Sequence, residues 1–400
     1  HAWRSNKPSE TYSPEVEMDI RARNCGLANL MICPYNSRFG VLGNPKNHIS
    51  DRSMANAKRI EDIGRHFRID AQVYGPYGPF VWTHGDESHY SESPDVDWHP
   101  AALARFRRLL KEKLYPNLDA LNREWSTQYK TWDAVMPSTY ADARETGNFA
   151  PWLTHKLSSN VIYSEFYKQV GDFLREGGDA GARTGFDGGC GLNKPNLGSD
   201  WWILAKHVQI LHSYHGEHMQ SEVFRSFVPA DGNTVRGMWY GTYGPHWSIG
   251  PNTIEYCHYH PWYSLFHHMN TTWFWTMGSP GPMSGYAPDL TSLGFMKSRT
   301  QALKEIRNGI GKLILSCPRE DDAIAIHFSE SSRIADSLYA EKTNDWSNAY
   351  VSSIGNVARS LEDAGFQYRF ISYKEIEDGA LTRRGVRVFF MPRSRAVSNR

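Results

Sequence analysis

The segment FVWTHGDES (residues 80–88) brings a tryptophan, a histidine and two adjacent carboxylates together at the end of an apolar run. The run is typical of a buried strand, and residues at the carboxyl ends of parallel strands carry the chemistry of (β/α)₈ enzymes. A tryptophan and a second carboxylate beside Glu87 can raise its pKa, as a general acid requires. Glu87 is therefore a candidate catalytic acid, with Trp82, His84 and Asp86 as candidate substrate contacts. The alternative is that Asp86 and Glu87 cap a helix in a loop.

Further carboxylates follow two later apolar runs. The stretch SYHGEHMQSEVFRSF contains Glu217 and Glu222, and Arg225 could hold either of them ionised. The alternative for Glu222 and Arg225 is an i,i+3 ion pair on a surface helix. Asp187 ends ARTGFD, where it is either a substrate contact at a strand end or a turn residue before two glycines.

Aromatic residues make up 13% of the chain, with 14 Trp, 21 Tyr and 18 Phe among 400 residues. Trp239, Tyr243 and Trp275 lie at or near the ends of the runs VRGMWYG and TTWFWTM. Period-2 alternation sends some such rings into the core and leaves others to line a site. Flat, amphipathic rings suit sugar faces, so a carbohydrate is the predicted ligand. The alternative is that the rings only pack between layers.

Charge and motif content exclude several classes of protein. The chain has 44 Lys+Arg against 43 Asp+Glu and no basic block, which disfavours nucleic-acid binding. No window of 18 apolar residues predicts a membrane span. The five cysteines show no C-x-x-C pair, and CHYHPWY lacks the spacing of H-E-x-x-H, so we expect no disulfide network and no metal site. No nucleotide-binding glycine motif follows a strand, so we expect no cofactor.

Short apolar runs alternate with helical patterns over residues 1–315, which predicts a (β/α)₈ TIM barrel. The predicted strands are 1–3, 27–34, 70–77, 80–87, 182–187, 213–217, 235–241 and 271–277. A helical insertion is expected at about 88–181, after the strand that ends at Glu87. A last long helix is expected from about 293 to 315, with Leu303, Ile306, Ile310 and Leu313 facing inward.

The pattern changes over residues 316–400. Strands are predicted at 322–328, 367–371 and 386–391, with a helix at 348–364 whose apolar face includes Ile354. This is the expected start of an open α/β sheet that is cut short at Arg400. The chain begins without Met, so its N-terminus is also expected to be incomplete. Localisation stays open between the cytoplasm and the periplasm or secretion.

The segment GDES, followed by HPAALARFRRLLKEKLYPNLDALNREWSTQYKTWDAV, resembles the region after the fourth strand in glycoside hydrolase family 42 β-galactosidases. The stretches DWWILAKHVQILHSYHGEHMQSEVFRSF, MWYGTYG and TWFWTMG are similar to divergent relatives that carry a β-galactosidase trimerisation domain. The stretch from DDAIAIHFSESSRIADSL to VFFMPRSRAVS is similar to the start of that flavodoxin-like domain. The resemblance covers nearly the whole chain and is more specific for the superfamily than for the substrate.

The resemblance implies that Glu87 is the acid/base carboxyl and that the native protein is an oligomer, namely a trimer. The family has its nucleophilic Glu after the seventh strand, where this chain reads VRGMWYGTYG and offers no carboxylate. Glu255 lies farther on, at a helix start, so Glu222 and Glu217 are the nearest substitutes. The expected activity is hydrolysis of β-galactoside-like linkages with two carboxylates. The alternative is a sugar-binding barrel that has lost its nucleophile.

Overall fold

In the computed structural model, the described residues form two parallel β-sheets, one of seven strands and one of three. The structure describes most of the chain from residue 52 onwards and two short stretches before it. The described residues are 2–3, 31–34, 52–86, 88–91, 93–189, 192, 197–214, 218–228, 235–241, 254–275, 285, 287, 289, 291–339 and 349–397.

The strands of the larger sheet follow chain order, and each is hydrogen-bonded in parallel to the one before it. They are β1 (Ala2–Trp3), β2 (Met31–Cys33), β3 (Val81–Asp86), β4 (Thr184–Gly189), β5 (Ile210–Tyr214), β6 (Val235–Gly241) and β7 (Thr271–Trp275). The predicted α/β fold with parallel strands in chain order is confirmed. Closure of this sheet into an eight-stranded barrel stays a prediction.

Helices occupy the connections between the later strands, because parallel neighbours need a crossover. The described helices are α1 (Ala57–Tyr74), α2 (Pro100–Leu109), α3 (Leu118–Trp125), α4 (Tyr140–Thr146), α5 (Ala150–Glu176), α6 (Trp201–His207), α7 (His218–Phe227), α8 (Ile254–Phe266), α9 (Gly294–Glu305), α10 (Gly311–Ser316), α11 (Glu330–Asp336), α12 (Ala349–Asp363), α13 (Tyr373–Glu377) and α14 (Ala380–Arg383). Within the described ranges, no helix combines the length and the apolar character that a membrane span requires.

One predicted strand is wrong. The run DAQVYGPY (70–77) forms the last turn of α1 and a 3₁₀ turn at Gly75–Tyr77. Ala71 and Tyr74 continue the buried face that includes Ile63 and Phe67, so the helical period runs through the segment. The other predicted strands of the larger sheet overlap observed ones, although β5 begins three residues before the predicted 213–217.

Four helices, α2 to α5, fill the interval between β3 and β4, where the sequence predicts a helical insertion. The 27-residue α5 packs along α1 and buries most of one face. Gly64 of α1 permits this close approach, since a Cβ there would lie 2.8 Å from the ring of Phe173. Helices α2 and α3 share a separate small core around Phe106 and Trp125.

The predicted last helix is divided into α9 and α10 by a π turn at Ile306–Ile310. Gly309 has a φ of 123°, a conformation that favours glycine. The turn rotates the helical face, so the expected inward packing of Ile310 and Leu313 is wrong. Leu313 is 57% exposed.

The smaller sheet has the spatial order β10–β8–β9, with β8 (Ile324–Phe328), β9 (Arg369–Ser372) and β10 (Val388–Phe390) all parallel. These strands and α12 lie where the sequence predicts them. One hydrophobic core includes buried residues of β8, β9 and α12 together with residues of α7 and α6. This core has members on both sides of position 315, and the division of the chain into two domains there stays a prediction.

Candidate functional site

The carboxyl ends of β3 and β4 bring two of the predicted site residues together. Asp86 is the last residue of β3, and its partner in the parallel ladder is Asp187 of β4. Neighbouring strands lie about 4.8 Å apart, so the two backbones are adjacent at the edge where α/β enzymes place their chemistry. The side chains of Asp86 and Asp187, and the whole of Glu87, lie outside the described part of the chain.

Strand β3 is irregular just before this edge. Its register with β4 shifts between Thr83 and Asp86, and Gly85 has a φ of 92°, which favours glycine. The Ser88 hydroxyl donates to the carbonyls of His84 and Gly85 at 2.8 and 2.9 Å and closes the turn. Because of this irregularity, the alternation of side chains along β3 does not predict to which side of the sheet Asp86 and Glu87 point.

Trp82 faces the helical layer, which corrects its assignment as a sugar contact. The side chain is fully buried and meets the Tyr74 ring edge-on at a centroid distance of 6.5 Å. Its Nε1 donates to Asp179 Oδ2 at 2.7 Å, just beyond the end of α5. No face of the indole is exposed, so Trp82 packs the sheet against α1.

His84 is also directed to the helices and is not a substrate contact. Its ring lies among Phe67, Phe166 and Tyr167, with centroids 5.9, 5.9 and 4.0 Å away. Burial lowers the pKa of His84 to about 3, so the imidazole is neutral at pH 7. Neither ring nitrogen has a hydrogen-bond partner among the residues described. These contacts are those of a core histidine.

The connection that follows Glu87 is held firmly, by residues that the sequence did not single out. The Tyr90 hydroxyl donates to the buried Asp97 and accepts a hydrogen bond from the Met54 amide. The Ser53 hydroxyl also donates to Asp97, at 2.9 Å. The Ser-Pro-Asp character of residues 93–97 signals a turn here, but the sequence does not reveal its partners Ser53 and Met54, which lie about 40 residues earlier.

Helix α5 anchors the same connection from the other side. Lys156 Nζ donates to the Ser93 carbonyl at 3.2 Å, and Trp152 Nε1 donates to the Pro94 carbonyl at 3.2 Å. Burial lowers the pKa of Lys156 to about 7, although the charge of Asp95 opposes this shift. The segment next to Glu87 is thus fixed to the buried face of a long helix.

Glu222 lies in the middle of α7 and is fully buried in an ion-pair cluster. One carboxylate oxygen accepts from His267 Nδ1 at 2.6 Å and from Arg319 Nη1 at 2.7 Å. The other accepts from Arg225 Nε and Nη2 at 3.0 and 2.8 Å. Arg225 Nη2 also donates to the Tyr368 carbonyl, beside β9.

This arrangement corrects the assignment of Glu222 as nucleophile and of Arg225 as a sugar contact. Burial alone would raise the pKa of Glu222, but the hydrogen bond from His267 and the charges of Arg225 and Arg319 outweigh it and lower the pKa. Both oxygens are occupied and neither is open to a sugar. The cluster ties α7 to the end of α8 and to the smaller sheet.

The remaining predicted residues are described in their backbone or not at all. Trp239 of β6 pairs with Tyr214 of β5 and with Trp273 of β7, and Trp275 ends β7 opposite Gly241. The side chains of Trp239 and Trp275 lie outside the described part, as do Glu217 and Tyr243 entirely. These assignments stay predictions.

The histidines that follow Cys257 have separate surroundings. His258 Nε2 lies 2.9 Å from Glu305, and His267 bonds to Glu222, whereas His260 is buried within α8. Across the ranges that the structure describes, no group of three or more His, Cys, Asp or Glu side chains is arranged to hold a metal ion.

No protein-family model and no curated protein sequence matches the chain. Solved structures do, among them a β-galactosidase from the psychrophilic Marinomonas ef1, with a TM-score of 0.65 at 16% identity over 92% of this chain and 63% of that one. A β-galactosidase from the haloarchaeon Halorubrum lacusprofundi matches with a TM-score of 0.63 at 13% identity, over 92% of this chain and 60% of that one.

An exo-carrageenase of family GH42 from Bacteroides ovatus matches with a TM-score of 0.58 at 16% identity, over 91% of this chain and 54% of that one. The chain therefore spans less than two thirds of the length of each of these proteins. At such low identity the likeness establishes a shared fold and nothing about activity.

Proposed function

We propose that the chain is a glycoside hydrolase that cleaves β-galactoside-like linkages, with Glu87 as the general acid. The observation that carries the proposal is the pairing of Asp86 with Asp187, because it assigns the residue next to Glu87 to the carboxyl edge of a parallel sheet. The shared fold with β-galactosidases over 92% of the chain supports it. The anchored connection after Glu87 supplies the rigid backing that a catalytic side chain needs.

In this proposal Glu87 protonates the leaving oxygen. A second carboxylate either attacks the anomeric carbon, giving a glycosyl-enzyme that water then hydrolyses, or takes a proton from a water that attacks this carbon directly. Asp187 is the preferred second carboxylate, since its backbone is adjacent to Asp86, and Glu217 after β5 is the alternative. A separation of about 5–5.5 Å between the two carboxyls implies retention, and about 6.5–9.5 Å implies inversion.

We propose further that the larger sheet closes as a (β/α)₈ barrel and that residues 316–400 begin a flavodoxin-like domain. The order β9–β8–β10 corresponds to the 2-1-3 order with which a flavodoxin-like sheet starts. By resemblance, this domain makes the native protein an oligomer, namely a trimer. Light scattering at micromolar concentration tests this, and a clean monomer mass would exclude it.

A second candidate function is a carbohydrate-binding barrel without hydrolytic activity. It is favoured by the sequence from β6 to the start of α8, VRGMWYGTYGPHWSIGPNTI, which contains no carboxylate. A binding barrel would retain oligosaccharides but would turn over neither activated nor natural substrates.

A panel of aryl β-glycosides and one poorly activated β-galactobioside separates the two functions. We expect Glu87→Gln to lower kcat on the disaccharide by about 10²–10⁴-fold, because the amide cannot deliver a proton. Asp86→Asn is the matched control and should have a much smaller effect, because Asp86 has no acid role in the proposal. Wild-type rates in Glu87→Gln on the disaccharide would refute the assignment, and no turnover of any glycoside by the wild type would favour the binding barrel.

A further inference from the structure

A shallow groove of about 630 Å³ runs between α8 and α9, on the helical layer outside the larger sheet. Its walls are mostly apolar and combine aromatic rings with two ionisable side chains. The lining residues are Ile254, Glu255, His258, Tyr259, Trp262 and Ser298. None of them belongs to the site proposed at the ends of the strands.

The topology sets the direction of this groove. Helix α8 leads from the carboxyl end of β6 to the amino end of β7, so its first residues lie at the edge of the sheet that carries Asp86 and Asp187. The groove begins there with Ile254 and Glu255 and reaches Trp262 about 12 Å further along the helix. A chain molecule that leaves the strand-end site could therefore continue along it.

The aromatic rings of the groove are both accessible and oriented. Tyr259 is 53% exposed. Trp262 Nε1 donates to Glu305 Oε2 at 3.2 Å, and its ring stacks on Phe266 with a centroid distance of 6.1 Å and an interplanar angle of 26°. Rigid rings with a polar tip beside them suit the apolar faces and hydroxyls of pyranose sugars.

The charges beside the rings select the kind of sugar. Glu255 lines the groove, and Glu305 lies next to it, with His258 Nε2 at 2.9 Å and Gln301 Nε2 at 3.1 Å from its oxygens. No lysine or arginine is among the described residues that line it. Carboxylates accept hydrogen bonds from sugar hydroxyls but repel sulfate and uronate groups.

We propose that this groove is an outer binding site for a neutral oligosaccharide chain, with Tyr259 and Trp262 as the platform and Glu255 as the group that excludes anionic sugars. Its use as an extension of the hydrolytic site rests on the proposed function, whereas the binding itself does not. Binding and hydrolysis are therefore measured separately.

Isothermal titration of the full chain with β-1,4-galactohexaose, neoagarohexaose and the sulfated κ-neocarrahexaose tests the proposal. We expect at least one neutral hexasaccharide to bind, and Tyr259→Ala or Trp262→Ala to weaken this binding at least about tenfold, since aromatic anchors dominate such contacts. Hydrolysis of a short aryl β-glycoside should be unchanged in Tyr259→Ala. Glu255→Lys should strengthen binding of the sulfated hexasaccharide at least about fivefold, because it replaces repulsion by attraction.

Phe366→Ala is the matched control, because Phe366 is an exposed aromatic residue, 47% accessible, beside the smaller sheet. It should bind both neutral sugars as the wild type does. The proposal is overturned if neither neutral hexasaccharide binds, if Tyr259→Ala binds as tightly as the wild type, or if the wild type binds the sulfated sugar equally well. If binding depends on Tyr259 but no glycoside is turned over, the proposed function is refuted and the proposal of a binding groove stands.

Discussion

Both carboxylate oxygens of Glu222 accept hydrogen bonds from basic side chains that come from three segments of the chain. Arg225 belongs to α7, His267 follows α8, and Arg319 precedes β8. Burying an ion costs several kcal/mol unless its partners are well placed, and removing one charge leaves the others without compensation. The contribution of Glu222 is therefore one of folding.

We expect Glu222→Gln to lower the free energy of unfolding by about 3–5 kcal/mol at pH 7, as measured by urea denaturation. Asp172→Asn is the matched control, because Asp172 also pairs with two cations, Lys168 and Arg175, but on the surface. Its loss should be at most about 1 kcal/mol. Because the pKa of Glu222 is lowered in the folded state, its stabilising effect is present at neutral pH and is lost in acid.

A nucleophilic role for Glu222 predicts the opposite result. In that case Glu222→Gln would keep wild-type stability, lose turnover and regain it with azide on an activated aryl glycoside. Either wild-type stability or azide rescue in this variant would contradict the structural assignment.

The sequence predicts the right residue types at this scale but not the direction in which they point. The i,i+3 spacing of Glu222 and Arg225 correctly predicts an ion pair. His267 and Arg319 could not be predicted, because they lie 45 and 97 residues from Glu222 in the sequence. The same limit applies to Trp82 and His84. A strand end could be recognised from its apolar run, but only the packing of α1 and α5 shows that both rings face the helices.

Helix α5 and the connection after β3 form the unit that supports the proposed acid. Lys156 is buried on this helix, and its pKa is lowered to about 7 from 10.5. The unfolded chain keeps the proton up to about pH 10.5, whereas the folded chain loses it from about pH 7. The contribution of Lys156 to the free energy of unfolding should therefore rise with pH over this interval.

We expect Lys156→Met to remove this rise, so that its stability relative to the wild type falls by up to about 1.4 kcal/mol per pH unit between pH 7 and 9.5. Urea denaturation at several pH values measures it. Lys168→Met removes an exposed lysine from the same helix and is the control. It should lower the free energy of unfolding by at most about 1 kcal/mol, because its ion pair lies on the surface. Parallel stability curves for Lys156→Met and the wild type would show that Lys156 keeps its proton.

Helices and strands could be predicted from the sequence wherever a single hydrophobic periodicity dominates the segment. The long helical insertion and all three strands of the smaller sheet were found because their apolar patterns are unambiguous. The run at 70–77 was not, because DAQVYGPY alternates like a strand while its apolar residues also continue the helical face of α1. The predicted inward orientation of Leu313 is wrong because Gly309 has a positive φ, a backbone feature that the pattern of side chains does not reveal.

The two sheets are joined by a buried polar contact as well as by a shared core. Arg333 of α11 donates to the carbonyls of Leu192 and Ser199, which follow β4, at 3.0 and 3.4 Å. It also pairs with Glu330, 2.7 Å away, which accepts from the Trp201 amide at 3.1 Å. A side chain of the smaller sheet's unit thus fixes the chain just beyond Asp187.

This joint predicts that the two sheets unfold together. Arg333→Gln would leave Glu330 and two carbonyls without their buried partner, so we expect a loss of about 3–5 kcal/mol in the free energy of unfolding. Hydrogen exchange in urea, followed by mass spectrometry, should show peptides of β4 and β8 losing protection at the same urea concentration. Arg333→Gln should lower the urea concentration at which protection is lost by the same amount for the β4 and β8 peptides. Arg359→Gln, at an exposed residue of α12, should change it for neither. Because the core and the Arg333 contacts cross position 315, a separate transition of the β8–β10 sheet would mean that this joint contributes little to stability.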